Sequence, residues 1–413
     1  MNRNATEAPA AACVPSAHDL PASAATAPAM EIRVARSIAE VEAIREIWSS
    51  WKTHRDSDID HCLEHVWKSE DFIRPHVIVL YRDGRPDAAL VGRLESSRID
   101  LRLGYLRFAS VPIRLLSFSY DGFLGSATTE NSGDLVRSIM STLRHGEADA
   151  ALFHQLGTDS PLYQKALALP GIASRDHLLR PTSHHFMRLP GSVDEMYREL
   201  SQGLRAEIRR KKKKILAEFG DRVSVQCFRD PADVEAQFPA LEEIAKKTYQ
   251  RALGVGFRDD EPMRRRFRVG ARKGWLRIYL MTINRKPCAF WTGSLYEGTF
   301  CSEEVGFDPQ YSEFSPGTFL LATVVEDLCN AGTAQIDFGF GEAEYKGRFG
   351  NVHLTESWVY IFAPGWKGLT LNALRTWTRL VESTARRALG SMGLTSKLKK
   401  MWRSRSAEKN VNE

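Results

Sequence analysis

Apolar residues along this chain change period several times, and the changes predict its elements. Near the N-terminus, residues 31–36 read as a short strand, and Ile38, Val41, Ile44, Ile47, Trp48 and Trp51 recur at helical spacing. A second helical stretch follows over 59–68. Residues 76–81 then read as a buried strand, Arg82-Asp83-Gly84-Arg85 as a turn, and 86–94 as the partner strand. Extended stretches at 102–108 and 114–120 precede a helix over 134–144 and strands over 148–156 and 184–189. The second half repeats this order. Setting Pro86 on Pro287 also sets Ala88 on Ala289, Gly92 on Gly293 and Leu94 on Leu295, each within a strand, polar turn, Pro, strand unit. Each half then has a helix that ends at a glycine, Gly146 or Gly332, and a further strand. Two copies of one α/β unit are expected.

Two more periodic stretches lie outside the repeat. Leu200, Leu204, Ile208, Ile215 and Phe219 give one apolar face, while Arg205, Arg209, Arg210 and Lys211 to Lys214 cover the rest of that helix. A solvated face and a site for an anionic partner both fit. After Trp366, the residues Leu371, Leu374, Trp377, Leu380 and Val381 predict an amphipathic helix, followed by basic residues as far as Arg405. Docking on the protein itself and contact with an anionic membrane surface are the two readings.

Charge sharpens this picture more than bulk composition does. The net charge is +6, but residues 366–413 hold eleven Lys/Arg against three Asp/Glu, so the rest of the chain is slightly acidic. Residues 1–30 are rich in Ala, Pro and Ser without the basic and long apolar regions of a secretion signal, which predicts a disordered leader. No run of apolar residues is long enough to span a bilayer. The six cysteines form no C-x-x-C pair and have no histidine at metal-site spacing, which fits a reducing compartment and predicts no structural metal. His184 and His185, adjacent on a strand, should face opposite ways as ordinary strand residues.

Candidate chemistry concentrates in 301–350. Ser315 suits an N-cap, Pro316 the first helical position, and Phe319, Leu320, Thr323, Val324 and Leu328 an apolar helix face. Gly317, unfavourable in a helix, suits a close approach to the backbone, and a helix N-terminus attracts phosphate. Asp337 ends a short strand beside Gly339 and Gly341, ahead of Glu342, Glu344, Tyr345, Lys346 and Arg348. Read blandly, these residues cap turns and anchor a loop.

The set Gly306-Phe-Asp-Pro, Ser315-Pro-Gly-Thr and Asp337-Phe-Gly-x-Gly-x-x-x-Tyr345-Lys346-x-x-Phe349-Gly350 resembles the signature of GNAT-type acyltransferases of the CelD or BioF-like group. That group is linked to bacterial cellulose and exopolysaccharide synthesis and related to the FemAB transferases; the resemblance spans roughly 190–362. It implies an α/β (α+β) fold of two tandem GNAT-like domains, each a mixed, mostly antiparallel sheet flanked by helices. Residues 31–190 would support or bind substrate, 191–365 would bind the donor and catalyse, and 366–413 would form the tail.

The implied donor is acetyl-CoA or another acyl-CoA, with its pyrophosphate at Ser315, Pro316, Gly317 and Thr318. The implied reaction is direct attack on the thioester by an amine or hydroxyl, which needs a base, an oxyanion donor and an acid. Glu304 or Asp337 is the candidate base, with Glu303 and Glu304 expected on opposite strand faces. Tyr345 is the candidate acid, Lys346 a charge offset, and Arg348 and Arg209 candidate substrate contacts. His54 and His353 stand alone in sequence, so no covalent intermediate and no metal are expected. The acceptor would be a small molecule or glycan precursor of the cell envelope, and the protein cytoplasmic or peripheral at the inner membrane. Nucleic acid enters only under the alternative of a FemAB-like transferase using aminoacyl-tRNA. A third reading is a non-catalytic scaffold for a membrane polysaccharide synthase.

Overall fold

The computed structural model describes residues 30–391 except 52, 53, 104, 105, 178, 253 and 342. The expected leader up to residue 29 and the tail beyond 391 lie outside the described residues. Among those described, thirteen strands form one sheet. They are β1 (Met30–Ala35), β2 (Phe72–Pro75), β3 (Val77–Arg82), β4 (Arg85–Leu103), β5 (Leu106–Gly125), β6 (Ala150–Gly157), β7 (Thr182–Arg188), β8 (Val223–Phe228), β9 (Leu276–Ile283), β10 (Lys286–Tyr296), β11 (Thr299–Phe307), β12 (Gln335–Phe340) and β13 (Val352–Phe362). Their spatial order is β1-β3-β4-β5-β6-β13-β7-β12-β11-β10-β9-β8, with β2 paired to β4.

The repeat is visible in the register of this sheet. Tyr81 pairs with Pro86 and Leu80 with Ala88, leaving Asp87 as a bulge; Thr282 pairs with Pro287 and Met281 with Ala289, leaving Cys288 in the equivalent place. A second irregularity lies opposite Val91 in the first half and opposite Thr292 in the second. The aligned glycines share a packing reason. A Cβ on Gly92 would lie 2.6 Å from the Phe118 ring, and one on Gly293 would lie 2.4 Å from the Phe300 ring. In each copy a phenylalanine of the next strand fills the space a side chain would need.

The two halves do not keep separate sheets, contrary to the expectation of one sheet per domain. β7, from the first half, pairs antiparallel with β12 of the second, and β13, from the second half, pairs antiparallel with β6 of the first. β7 and β13 also pair with each other, so the last strand of each half is inserted into the other's sheet. A division at 190/191 therefore cuts a continuous ladder.

Helices cover both faces. In β9, Leu276, Ile278 and Leu280 pack under helices Pro231–Lys246 and Glu261–Arg272, while the alternate residues Tyr279, Met281 and Ile283 pack against helices Gln202–Phe219 and Pro316–Asn330. A period-two strand apolar on both sides is what a sheet buried between helical layers requires. The first half is covered likewise by helix Thr129–Arg144 on one face and by short helices between Ile38 and Glu64 on the other.

The helix Trp366–Ser391 docks on its own protein. Arg375 forms a 2.7 Å ion pair with Asp176 and its guanidinium lies over the Tyr360 ring. Asn372 donates to the carbonyls of Ala173 and Arg175, and Lys367 pairs with Asp149.

Candidate active site

Where β11 and β12 run side by side, only Thr299–Cys301 and Gln335–Asp337 are in register; beyond them the strands part. Two parallel strands that separate leave unpaired backbone edges and a wedge of space. Cys301 and Asp337 stand at the vertex.

One wall of the wedge corrects the sequence reading. Trp291 pairs with Val305 but Gly293 with Ser302, so Glu303 and Glu304 both oppose Thr292 in a β-bulge. Strict alternation fails there, and the two carboxylates are not divided between the faces. Arg266 of helix Glu261–Arg272 meets both, at 3.1 Å from Glu304 Oε1 and 3.4 Å from Glu303 Oε2. Glu303, whose side chain is 5% exposed, also receives Ser294 Oγ at 2.6 Å and the Arg55 guanidinium. Burial holds the Arg266 pKa below its ordinary value, partly offset by Glu304.

At the vertex the structure assembles residues distant in sequence. Asp337 Oδ1 accepts from the Gly339 N–H at 2.6 Å and meets His184 Nε2 at 2.5 Å; His184 Nδ1 lies 3.0 Å from Glu356 Oε2. His184 is fully buried between these carboxylates. Burial alone would lower its pKa, but the bonds to Asp337 and Glu356 outweigh it and push the value up to about 9. On the other side of Asp337, His54 Nε2 is 4.0 Å from Oδ2 and 3.3 Å from Cys301 Sγ.

Ligand atoms of His54, Cys301 and Asp337 lie within 4.8 Å of one another, a spacing that invites a cation or a nucleophilic thiol. Hydrogen bonding argues against both roles. His54 Nδ1 accepts the Asp56 backbone N–H at 3.1 Å, so in the neutral ring Nε2 carries the proton and offers no lone pair to a metal or to the thiol. Burial pushes the Cys301 pKa up to about 12, with the Arg55 cation opposing and Asp337 adding to the rise. His54 is instead a donor aimed at the vertex.

Two cavities reach this network from opposite ends. One of about 230 Å³ is lined by Trp51, His54, Asp58, Trp275 and Tyr296. Another of about 200 Å³ is lined by Tyr120, Asp121, Gln155 and Glu356, where β5 and β6 part after Phe118 and Phe153. The first half thus supplies His54, Arg55, Tyr120 and His184 to the centre, more than a support would. Sequence reading passed over them because their partners lie far away in the chain. The one local signal was the dense titratable triplet His54-Arg55-Asp56.

The helix expected at Ser315 forms over Pro316–Asn330, but Ser315 does not cap it through its side chain. It sits in the left-handed region, φ 54° and ψ 53°, after a 3₁₀ turn over Pro309–Phe314, and its carbonyl receives the Thr318 N–H at 3.1 Å. The basic helix Gln202–Phe219 lies alongside, with Lys211 Nζ 3.2 Å from Thr318 Oγ1 and Lys214 Nζ donating to the Glu313 carbonyl at 2.8 Å. A Cβ on Gly317 would meet only Phe307, at 3.6 Å, so no part of the protein crowds that glycine.

The remaining expected residues divide. Tyr345 packs edge-on to Phe338 of β12, the residue after Asp337. Lys346 Nζ donates to the Phe340 carbonyl at 2.8 Å, so its ammonium anchors the loop that follows β12. Arg348 is committed to Glu207 and Glu344, tying the short helix Glu344–Phe349 to the basic helix, and Arg209 is exposed and lies along its own helix toward the Arg205 carbonyl. Neither arginine turns to the vertex. His353 pairs with His185, Nδ1 to Nδ1 at 2.9 Å, away from His184.

Residues 202–347 match the family model described as an acetyltransferase (GNAT) domain. Among solved structures, a crystal structure of FemX is similar at 12% identity, covering 77% of this chain and 96% of that one, with a TM-score of 0.54. A tandem GNAT protein from the clavulanic acid biosynthesis pathway is similar at 8% identity, covering 82% and 99%, with a TM-score of 0.45. L-PGS from Bacillus licheniformis is similar at 11% identity, covering 80% and 98%, with a TM-score of 0.43. None of the curated proteins matches.

Proposed function

From a GNAT acetyltransferase domain over 202–347 and the acyltransferase chemistry that goes with it, we propose that this protein transfers an acyl group from acyl-CoA to a nucleophile on a cell-envelope or exopolysaccharide precursor. The observation that carries the reading is the parting of β11 and β12 beside a glycine-opened helix start that Lys211 approaches. A thioester fits in the wedge with its carbonyl toward the vertex. The pyrophosphate fits near Gly317 and Thr318, where the helix dipole and the Lys211 ammonium both favour negative charge.

The acceptor N–H or O–H gives its proton to Glu304 or Asp337 as its lone pair attacks the thioester carbon. His54 Nε2, 4.0 Å from Asp337 Oδ2, offers a donor for the oxygen that becomes negative. When the C–S bond breaks, the departing thiolate takes a proton from Tyr345. Both carboxylates are held by donors, Arg266 for Glu304 and His184 with Gly339 for Asp337, which fixes their geometry.

The test is calorimetric titration with acetyl-CoA and CoA of the wild type, Gly317→Glu and Lys211→Ala. Micromolar binding lost in Gly317→Glu, and weakened about tenfold or more in Lys211→Ala, is the expected result. The glutamate replaces no contact, so lost binding with unchanged thermal stability reports the phosphate site. No binding by a stable wild type would overturn the acyl-CoA reading. It would turn attention to aminoacyl-tRNA, for which the exposed Arg209, Arg210 and Lys213 offer phosphate contacts.

A further inference from the structure

The helix Trp366–Ser391 is inverted relative to an ordinary surface helix. Its inward side carries the buried polar residues Asn372, Arg375 and Thr378, of which Arg375 pairs with Asp176 and Asn372 binds backbone carbonyls, with Leu371 buried among them, while Lys367 at the margin reaches Asp149. Its outward side carries Trp366, Leu374, Trp377 and Leu380, exposed by 82, 43, 54 and 48%. These fall on one helical stripe. A surface helix normally turns such a stripe to the core, and a contiguous apolar patch marks something that covers it.

Charge says what covers it. The chain beyond this helix, 392–413, has six Lys/Arg against two Asp/Glu, with Trp402 among them, and Arg386 and Arg387 precede it. An apolar stripe bearing two tryptophans and running into a basic segment matches a bilayer surface, where indole rings favour the headgroup level and Lys/Arg meet anionic phosphates. No helix of the described residues is long and apolar enough to cross a membrane. We propose that the outward stripe of Trp366–Ser391 rests on an anionic phospholipid bilayer, with the helix parallel to the surface. The surface is independent of the acyl-transfer reading, since it shares no residue with the wedge.

The test uses full-length protein in vesicle flotation. Vesicles of phosphatidylcholine alone are compared with an equal mixture of phosphatidylcholine and phosphatidylglycerol, at low and high salt, for the wild type and a Trp366→Ala/Trp377→Ala double variant. Both tryptophans are exposed, so the variant should keep the wild-type melting temperature. The expected result is wild-type flotation with the anionic vesicles, weakened by salt, and lowered about tenfold or more in the double variant. Flotation equal for both proteins, equal on neutral vesicles, or absent would each overturn the proposal. So would a double variant that changes the protein's mass by light scattering without changing flotation, because the stripe would then cover a second copy of the chain.

Discussion

His184 makes a prediction about stability that can be worked through. Its pKa rises from an ordinary 6.5 to about 9 in the folded protein, because Asp337 and Glu356 hold the imidazolium between them against the cost of burial. Between those two pH values the folded state binds a proton that the unfolded state has released, so stability falls as pH rises. The contribution is fully present below about pH 6.5 and gone above about pH 9, and its size follows from the shift at about 3 kcal/mol. Four other histidines, His61, His65, His76 and His154, do not share this window. Burial lowers His61 well below its ordinary value, His65 to about 4, His76 to about 3 and His154 to about 4, so they cost stability as pH falls, on the acid side. The assay is urea unfolding at half-unit steps from pH 6 to pH 10 for the wild type, His184→Gln and Glu356→Gln. The wild type should lose about 3 kcal/mol more than His184→Gln across the window, and Glu356→Gln should fall between them. Parallel curves for the wild type and His184→Gln would refute the ion-bridged histidine.

Other outcomes follow from the same packing. Gly293→Ala should cost about 2 kcal/mol or more by denaturant unfolding, because its Cβ would lie 2.4 Å from Phe300 and 2.6 Å from the Cys301 carbonyl; Gly317→Ala, with nothing nearer than 3.6 Å, should gain about 0.5 to 1 kcal/mol. Glu304→Gln should lower kcat about a hundredfold, the signature of a base, alongside a lowered melting temperature from the loss of the closer carboxylate partner of Arg266. Glu303→Gln, which leaves the Arg55 guanidinium poorly paired, should chiefly lower the melting temperature. Asp176→Asn removes the buried partner of Arg375 and should cost about 3 kcal/mol by denaturant unfolding, with limited proteolysis then cutting within 366–391.

What could be read from the sequence was local or repeated. The Pro86/Pro287 alignment rests on two strands whose bulges and ring-covered glycines coincide, so the same steric demand wrote the same letters twice. The helix over 316–330 and the docked helix after Trp366 show in their apolar spacing. The strand exchange does not show, because β7 and β13 alternate as any strand does and pairing partners leave no mark in one sequence. Opposite faces for Glu303 and Glu304 followed from strict alternation, which one inserted residue undoes. Ser315 looked like a cap from its type, but its left-handed backbone turns the hydroxyl away from that task. The charged centre was hidden by distance: His54 and Cys301 are 247 positions apart, and His184 and Asp337 are 153 apart.

The exchanged strands bear on how the chain is made. During synthesis the first half emerges with β6 lacking one neighbour and β7 lacking both, since β12 and β13 are translated last. Unpaired strand edges of this kind are templates for pairing with other chains. The nascent protein therefore cannot complete a fold half by half. Final closure waits until residue 362 has left the ribosome, and a fragment ending before β13 would expose open edges at β6 and β7 together.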